Sequence, residues 1–127
     1  MSTTPSTTAV QPAIPDLDPQ LLDNLRLELR RGSLILAVLA QLRSEQYGYV
    51  LRKTLTDLGL DIDENTLYPL LRRLETQGLL SSVWREHEKR NKRFYTLSPQ
   101  GLAIFERLRA EWRGLNDSLN RVMDQKL

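Results

Sequence analysis

Cysteine is absent from this 127-residue chain. That removes disulfides, thiol nucleophiles and thiolate metal centres, and gives no sign of an oxidising compartment. Histidine occurs once, at His87, too little for a zinc site or a Ser-His-Asp arrangement. The carboxylates Asp61, Asp63 and Glu64 mimic an acid/base cluster, but helix capping accounts for them better. No catalytic residue, metal ligand or cofactor is therefore expected, and the chain does not read as an enzyme. Long apolar runs are missing too. The most apolar stretch, Leu34 to Leu42, follows Arg30 and Arg31 closely and is far short of the ~20 residues that span a bilayer. Met1 to Pro15 has neither the basic start nor the apolar centre of a signal peptide. A cytoplasmic protein without a membrane partner is the expectation. Neither sign of charge dominates: the net charge is +2, so the distribution of charge must decide what the chain meets.

What is present is an ordinary globular balance, 40% hydrophobic and 27% charged, enough for one domain with one core. Residues 1–19 hold four of the six prolines and are rich in Ser and Thr; they bury too little apolar surface to offset ordering and read as a disordered tail. From Gln20 the pattern turns helical, with Leu22, Leu25, Leu29, Gly32, Leu36 and Leu39 stepping by three and four. A second helix is expected from Tyr47 or Gly48 to Gly59, with Val50, Leu51, Leu55 and Leu58 inward. A third starts at the capping Asp63 and stops before Gly78, burying Leu67, Leu70, Leu71 and Leu74. Two runs rich in β-formers follow, Leu79–Glu86 and Arg93–Leu97, separated by the polar stretch His87 to Lys92; this predicts a β-hairpin with a long tip. Ser98-Pro99 then caps a last helix that runs to about Asp124. Three helices, a two-stranded wing and a terminal helix make a mainly α fold: a winged helix-turn-helix over residues 20–97 and a C-terminal helix over 98–127.

The third helix has the makings of a DNA reader. With its leucines buried, it turns outward Asn65, Tyr68, Pro69, Arg72 and Thr76, flanked by Thr66 and Arg73. Asn and Thr near a helix start suit base edges and phosphates, and an arginine one or two turns on reaches a guanine or a phosphate. Pro69 removes a backbone donor at a mid-helix cost of about 3 kcal/mol, which points to a constraint such as seating the first turn in a groove; a proline whose partner carbonyl faces solvent is the plainer reading. The wing supplies charge: Arg85, Lys89, Arg90, Lys92 and Arg93 stand against Glu86 and Glu88. Such a concentration directly after a reading helix suits phosphate or minor-groove contact.

The last helix carries Phe105, Leu108, Trp112, Leu115, Leu119 and Val122 at alternating spacings of three and four, a heptad seam. The small module already has its core, so pairing with a second copy is expected. Trp112 sits mid-seam, where two-fold symmetry brings its copy close. Paired tryptophans would either leave a slot for a planar aromatic cation or phenol or simply fill the interface.

Several strings sharpen this reading: Glu28-Leu29-Arg30-Arg31-Gly32-Ser33-Leu34, Tyr47-Gly48-Tyr49, Asn65-Thr66-Leu67-Tyr68-Pro69-Leu70-Leu71-Arg72-Arg73-Leu74-Glu75, Trp84-Arg85-Glu86 and Lys92-Arg93-Phe94-Tyr95-Thr96-Leu97-Ser98. Together they resemble the PadR family of bacterial transcriptional regulators, in its compact branch with one C-terminal dimerisation helix. The resemblance implies a homodimeric repressor of an inverted-repeat operator in double-stranded DNA. Its third helix would lie in the major groove and its wings along the minor groove, with first and last helices crossing at the interface. The DNA-contacting set on this reading is Tyr47, Asn65, Thr66, Tyr68, Pro69, Arg72 and Arg73 with Lys89, Arg90, Lys92 and Arg93 of the wing. It further implies that Trp112 stands where multidrug-sensing members stack planar aromatic effectors. The chain departs from the pattern at Asn65, often a glycine in the family, and in a wing tip without glycine. A winged-helix module that contacts protein instead of DNA is the alternative; it would not need a basic wing.

Overall fold

The computed structural model describes residues 16–127, so most of the segment expected to be a disordered tail lies outside the described residues. The chain divides into two units, Met1–Gly32 and Ser33–Leu127. In the first, helix α1 (Pro19–Gln41) begins. The Asp18 carboxylate caps it, accepting from the backbone N–H groups of Gln20 at 3.0 Å and Leu21 at 3.4 Å, and Pro19 fills the first helical position, where no donor is needed. The tail expected through Pro19 therefore ends sooner, since an aspartate–proline pair is itself a helix start. Leu21, Leu25, Leu27 and Leu29 are exposed.

The second unit is built on the rest of α1, β1 (Gln46–Tyr47), α2 (Gly48–Asp57), α3 (Glu64–Thr76), β2 (Leu80–His87), β3 (Arg90–Leu97) and α4 (Pro99–Met123). Its core gathers Val38, Leu39 and Leu42 of α1 and the following turn, Leu51 and Leu55 of α2, and the whole leucine stripe of α3, with Ile62, Leu80, Tyr95 and Phe105. Leu58, expected inside, is exposed. It is the cap of α2, where the chain leaves the helix at Gly59 (φ +97°), and Leu60 packs against the core instead. α3 matches its expected bounds: Asp63 Oδ1 accepts from the Thr66 N–H at 2.8 Å.

The sheet has three strands in the order β1-β3-β2, all antiparallel. The short β1 adds a strand to the expected pair, with Tyr47 opposite Phe94. The long wing tip does not form. β2 and β3 stay paired from Leu80↔Leu97 to His87↔Arg90, leaving Glu88 and Lys89 as a two-residue turn with φ of +52° and +65°. Positive φ at both positions is the backbone of a type I′ hairpin turn, whose twist matches that of the strands. Pairing thus carries the strands through charged residues that the sequence pattern assigned to a loop. Non-glycine residues pay for left-handed backbone with about 1–2 kcal/mol each.

α4 starts on a tightly built corner. Ser98 Oγ accepts from the Gly101 N–H at 2.9 Å and donates to the Gly78 carbonyl at 2.7 Å, while the Ser98 N–H bonds the Leu79 carbonyl at 3.0 Å. Gly101 and Phe105 are buried here. Phe105, expected at the head of the seam, is a core residue of its own domain: three-and-four spacing continues unchanged from the docked part of the helix into the undocked part, so it cannot tell one from the other. The exposed seam begins at Leu108 and continues through Trp112, Leu115, Leu119 and Val122.

Candidate nucleic-acid interface

Capping at Asp63 and burial of the leucine stripe leave α3 one outward face. Asn65, Thr66, Pro69, Arg72 and Arg73 are exposed on it, as the sequence predicts. The helix runs unbroken through Pro69, which cannot donate to the Asn65 carbonyl and so leaves it without its helical donor on the exposed face. Tyr68 is half-buried, its ring lying directly over Gly48 at the start of α2, which fixes it at the crossing of the two helices.

The wing is held against this helix by one network. Arg93 donates from Nη2 to Glu75 Oε1 at 2.8 Å and from Nε to Ser82 Oγ at 3.0 Å, and Ser82 Oγ donates to Glu75 Oε2 at 2.6 Å. The Arg93 guanidinium lies 5.7 Å from the Trp84 ring centre and 5.5 Å from that of Tyr95. Burial pushes the Tyr95 phenol above its ordinary pKa, with Arg93 pulling the other way. Arg93, expected among the DNA contacts, is committed here to a carboxylate and a hydroxyl and so positions the wing.

The opposite face of the wing is an aromatic cluster. Tyr47 packs on Phe94 at 5.3 Å and on His87 at 5.6 Å. Lys92 lies 4.3 Å over the Tyr47 ring, and Arg85 lies 4.6 Å over Phe94. Arg85 also holds Glu45 in a two-pronged ion pair at 2.5 and 3.0 Å. That hydrogen bonding keeps the Glu45 carboxyl below its usual pKa and raises Arg85 above its own. The five cations of the wing therefore divide. Arg85 and Arg93 are spent on structure, and Lys92 leans on a ring and lies 3.9 Å from a Glu88 carboxylate oxygen, whereas among the described residues Lys89 and Arg90 form no ion pair, and neither do Arg72 and Arg73 on α3.

Between the helices and the wing runs an open cleft of about 720 Å³. Tyr49, Tyr68 and Arg72 line its helical side, and Trp84, Arg90 and Lys92 its wing side. The sequence reading did not place Tyr49 or Trp84 here, nor Glu45 and Glu75 as anchors. Strand alternation puts Trp84 on the face of Arg93, its cross-strand partner, but only a correct hairpin register reveals it. His87 is a ring partner in the wing, and no group of three or more His, Asp or Glu residues among the described residues could hold a metal.

A capped helix with a free basic face, buttressed by a paired wing with free cations at its tip, defines a DNA-binding winged helix-turn-helix. Residues 35–107 match the Transcriptional regulator PadR-like family, and the chain belongs to that family. It is 36% identical over 80 residues, 63% of this chain and 72% of the other, to the transcriptional regulator Rv3488 of Mycobacterium tuberculosis. A crystal structure of a PadR family transcriptional regulator from Eggerthella lenta is 41% identical with a TM-score of 0.77, over 84% of this chain and 96% of that one. A PadR-like transcription factor from Bacteroides fragilis is 31% identical with a TM-score of 0.67, over 78% and 98%. The protein is thus a DNA-binding transcriptional regulator and not an enzyme. No helix among the described residues is long and apolar enough to cross a membrane.

Proposed function

We propose that the protein is a cytoplasmic homodimeric repressor that reads an inverted-repeat operator and is released by a planar aromatic effector. The observation that carries DNA reading is the division of cations within α3 and the wing: Arg72 and Arg73 on the outward face of the helix and Lys89 and Arg90 at the wing tip are the ones that no carboxylate answers. Arg72 and Arg73 then serve base edges and nearby phosphates, with Asn65, Thr66 and Tyr68 alongside, while Lys89 and Arg90 serve the flanking backbone. Dimerisation is supported by the exposed seam of α4, and repression by the family resemblance. Selection from a random duplex pool should return an inverted repeat with half-site centres about 10 base pairs apart. Transcription in vitro from a promoter overlapping that site should fall as protein is added. A single half-site bound by one protomer would reject the dimer, a rise in transcript would reject repression, and no salt-dependent duplex binding would favour the protein-interaction alternative.

Lys89 offers a sharper test of the wing, because its backbone and its charge pull in opposite directions. Lys89→Gly relieves a left-handed residue and is expected to stabilise the fold by about 1 kcal/mol, read as a higher thermal midpoint. The same change should weaken binding to every duplex alike and lower the salt slope by about one. Arg72→Ala should instead cost roughly 1–3 kcal/mol on the selected operator and erode discrimination. Equal loss on specific and random DNA in both variants would undo this division of labour.

The effector reading is supported by a mainly apolar groove of about 410 Å³, in which Trp112, Phe105, Leu36 and Leu60 meet Arg109 and Arg113. A planar aromatic compound is expected to quench Trp112 saturably and to release the selected duplex, and Trp112→Ala should abolish the response. Saturable release that survives in Trp112→Ala would place the effector elsewhere.

A further inference from the structure

Trp84 is the first of two tryptophans and 64% exposed. It lies on the wing, in a cleft that no residue of α4 lines, apart from the exposed seam of that helix. An indole so far in water is costly to leave unpartnered. Its place is also held: Arg93 lies over the ring and is itself clamped by Glu75 and Ser82, so the side chain is oriented before any ligand arrives. Around it the cleft carries Arg72 and Arg90 unanswered by any carboxylate, with Lys92 beside Glu88 and the charge of Arg93 met by Glu75. Aromatic rings beside a surplus of cations suit a polyanion whose charges alternate with apolar rings.

We propose that this cleft seats one strand of the DNA backbone, with Trp84 packed on deoxyribose and the cations on the flanking phosphates. The inference rests on the DNA reading above and adds to it a contact that carries no charge. Trp84 thereby supplies a part of the affinity that salt does not screen, acting on every sequence alike, and the wing is more than an electrostatic clamp.

The experiment labels the protein with 5-fluorotryptophan and follows the two fluorine resonances, Trp84 being the one missing from Trp84→Phe. Random duplex DNA should shift the Trp84 resonance and remove its solvent-isotope effect; inorganic polyphosphate, a polyanion with neither sugar nor base, should leave both in place. Trp84→Ala should weaken binding to specific and random duplexes by about tenfold, the order expected of an aromatic contact. The slope of log affinity against log salt should stay unchanged, and Trp84→Phe should recover part of the loss. Retained fold is checked by an unaltered far-ultraviolet dichroism spectrum in both variants. A Trp84 resonance indifferent to duplex, equal protection by polyphosphate, or a tenfold loss accompanied by a lower salt slope would overturn the proposal while leaving the DNA reading intact. A parent protein that binds no duplex would overturn both.

Discussion

Alanine at position 101 is expected to destabilise the domain by about 3 kcal/mol or more, from one added methyl. A Cβ there would overlap the carbonyl oxygen of Leu79 and lie 2.9 Å from its carbonyl carbon. The obstacle is backbone and cannot rotate away. Alanine in place of a helical glycine gains up to about 1 kcal/mol of propensity, but overpacking of this kind costs about 1–3 kcal/mol. Lifting α4 clear would also break the bonds from Ser98 to Leu79 and Gly78, about 1 kcal/mol each, and would draw Phe105 out of the core. A domain of this size has only about 5–15 kcal/mol to lose. Urea denaturation checks the expectation; a midpoint equal to the parent's would show that the corner is softer than its geometry indicates.

Leu115→Asp is expected to act at the other end of the same helix and in a different way. Leu115 is 57% exposed within the protomer and belongs to no core, so the winged module should keep its helical dichroism. The loss falls on association: a carboxylate entering a desolvated seam without a partner costs several kcal/mol, and two-fold symmetry brings two of them. Light scattering should report half the parent's mass, and operator binding should fall with it. A DNA-binding dimer of unchanged mass would place the two-fold contact elsewhere.

The sequence made the helical half of the fold legible because its signals are local. Asp63 and Ser98 are caps that need only the next three residues, and the stripe of Leu67, Leu70, Leu71 and Leu74 follows from helical spacing alone. The candidate face of α3 was legible for the same reason, as the remainder once that stripe is buried. The wing was less so. Its turn has neither glycine nor asparagine, so Glu88-Lys89 gave no hairpin signal, and β1 is too short to show alternation. The use of its cations was hidden because their partners are remote: Arg85 meets Glu45, and Arg93 meets Glu75, across 40 and 18 residues. Charge counting along the chain therefore overstated what the wing has free for a ligand.

The corner at Gly101 has a mechanical consequence. α4 is pinned to the turn between α3 and β2 at its first residues, adds no residue to the core beyond Phe105 and borders only an open groove there, so it works as a lever whose fulcrum is the Leu79 carbonyl. Its 25 residues span about 37 Å, and a tilt of about 5° about that fulcrum swings the far end by roughly 3 Å. In a pair joined along the seam the relation runs backwards. Anything that changes the angle between the two levers by a few degrees moves the two reading heads apart or together by a base-pair step, with no rearrangement inside either one.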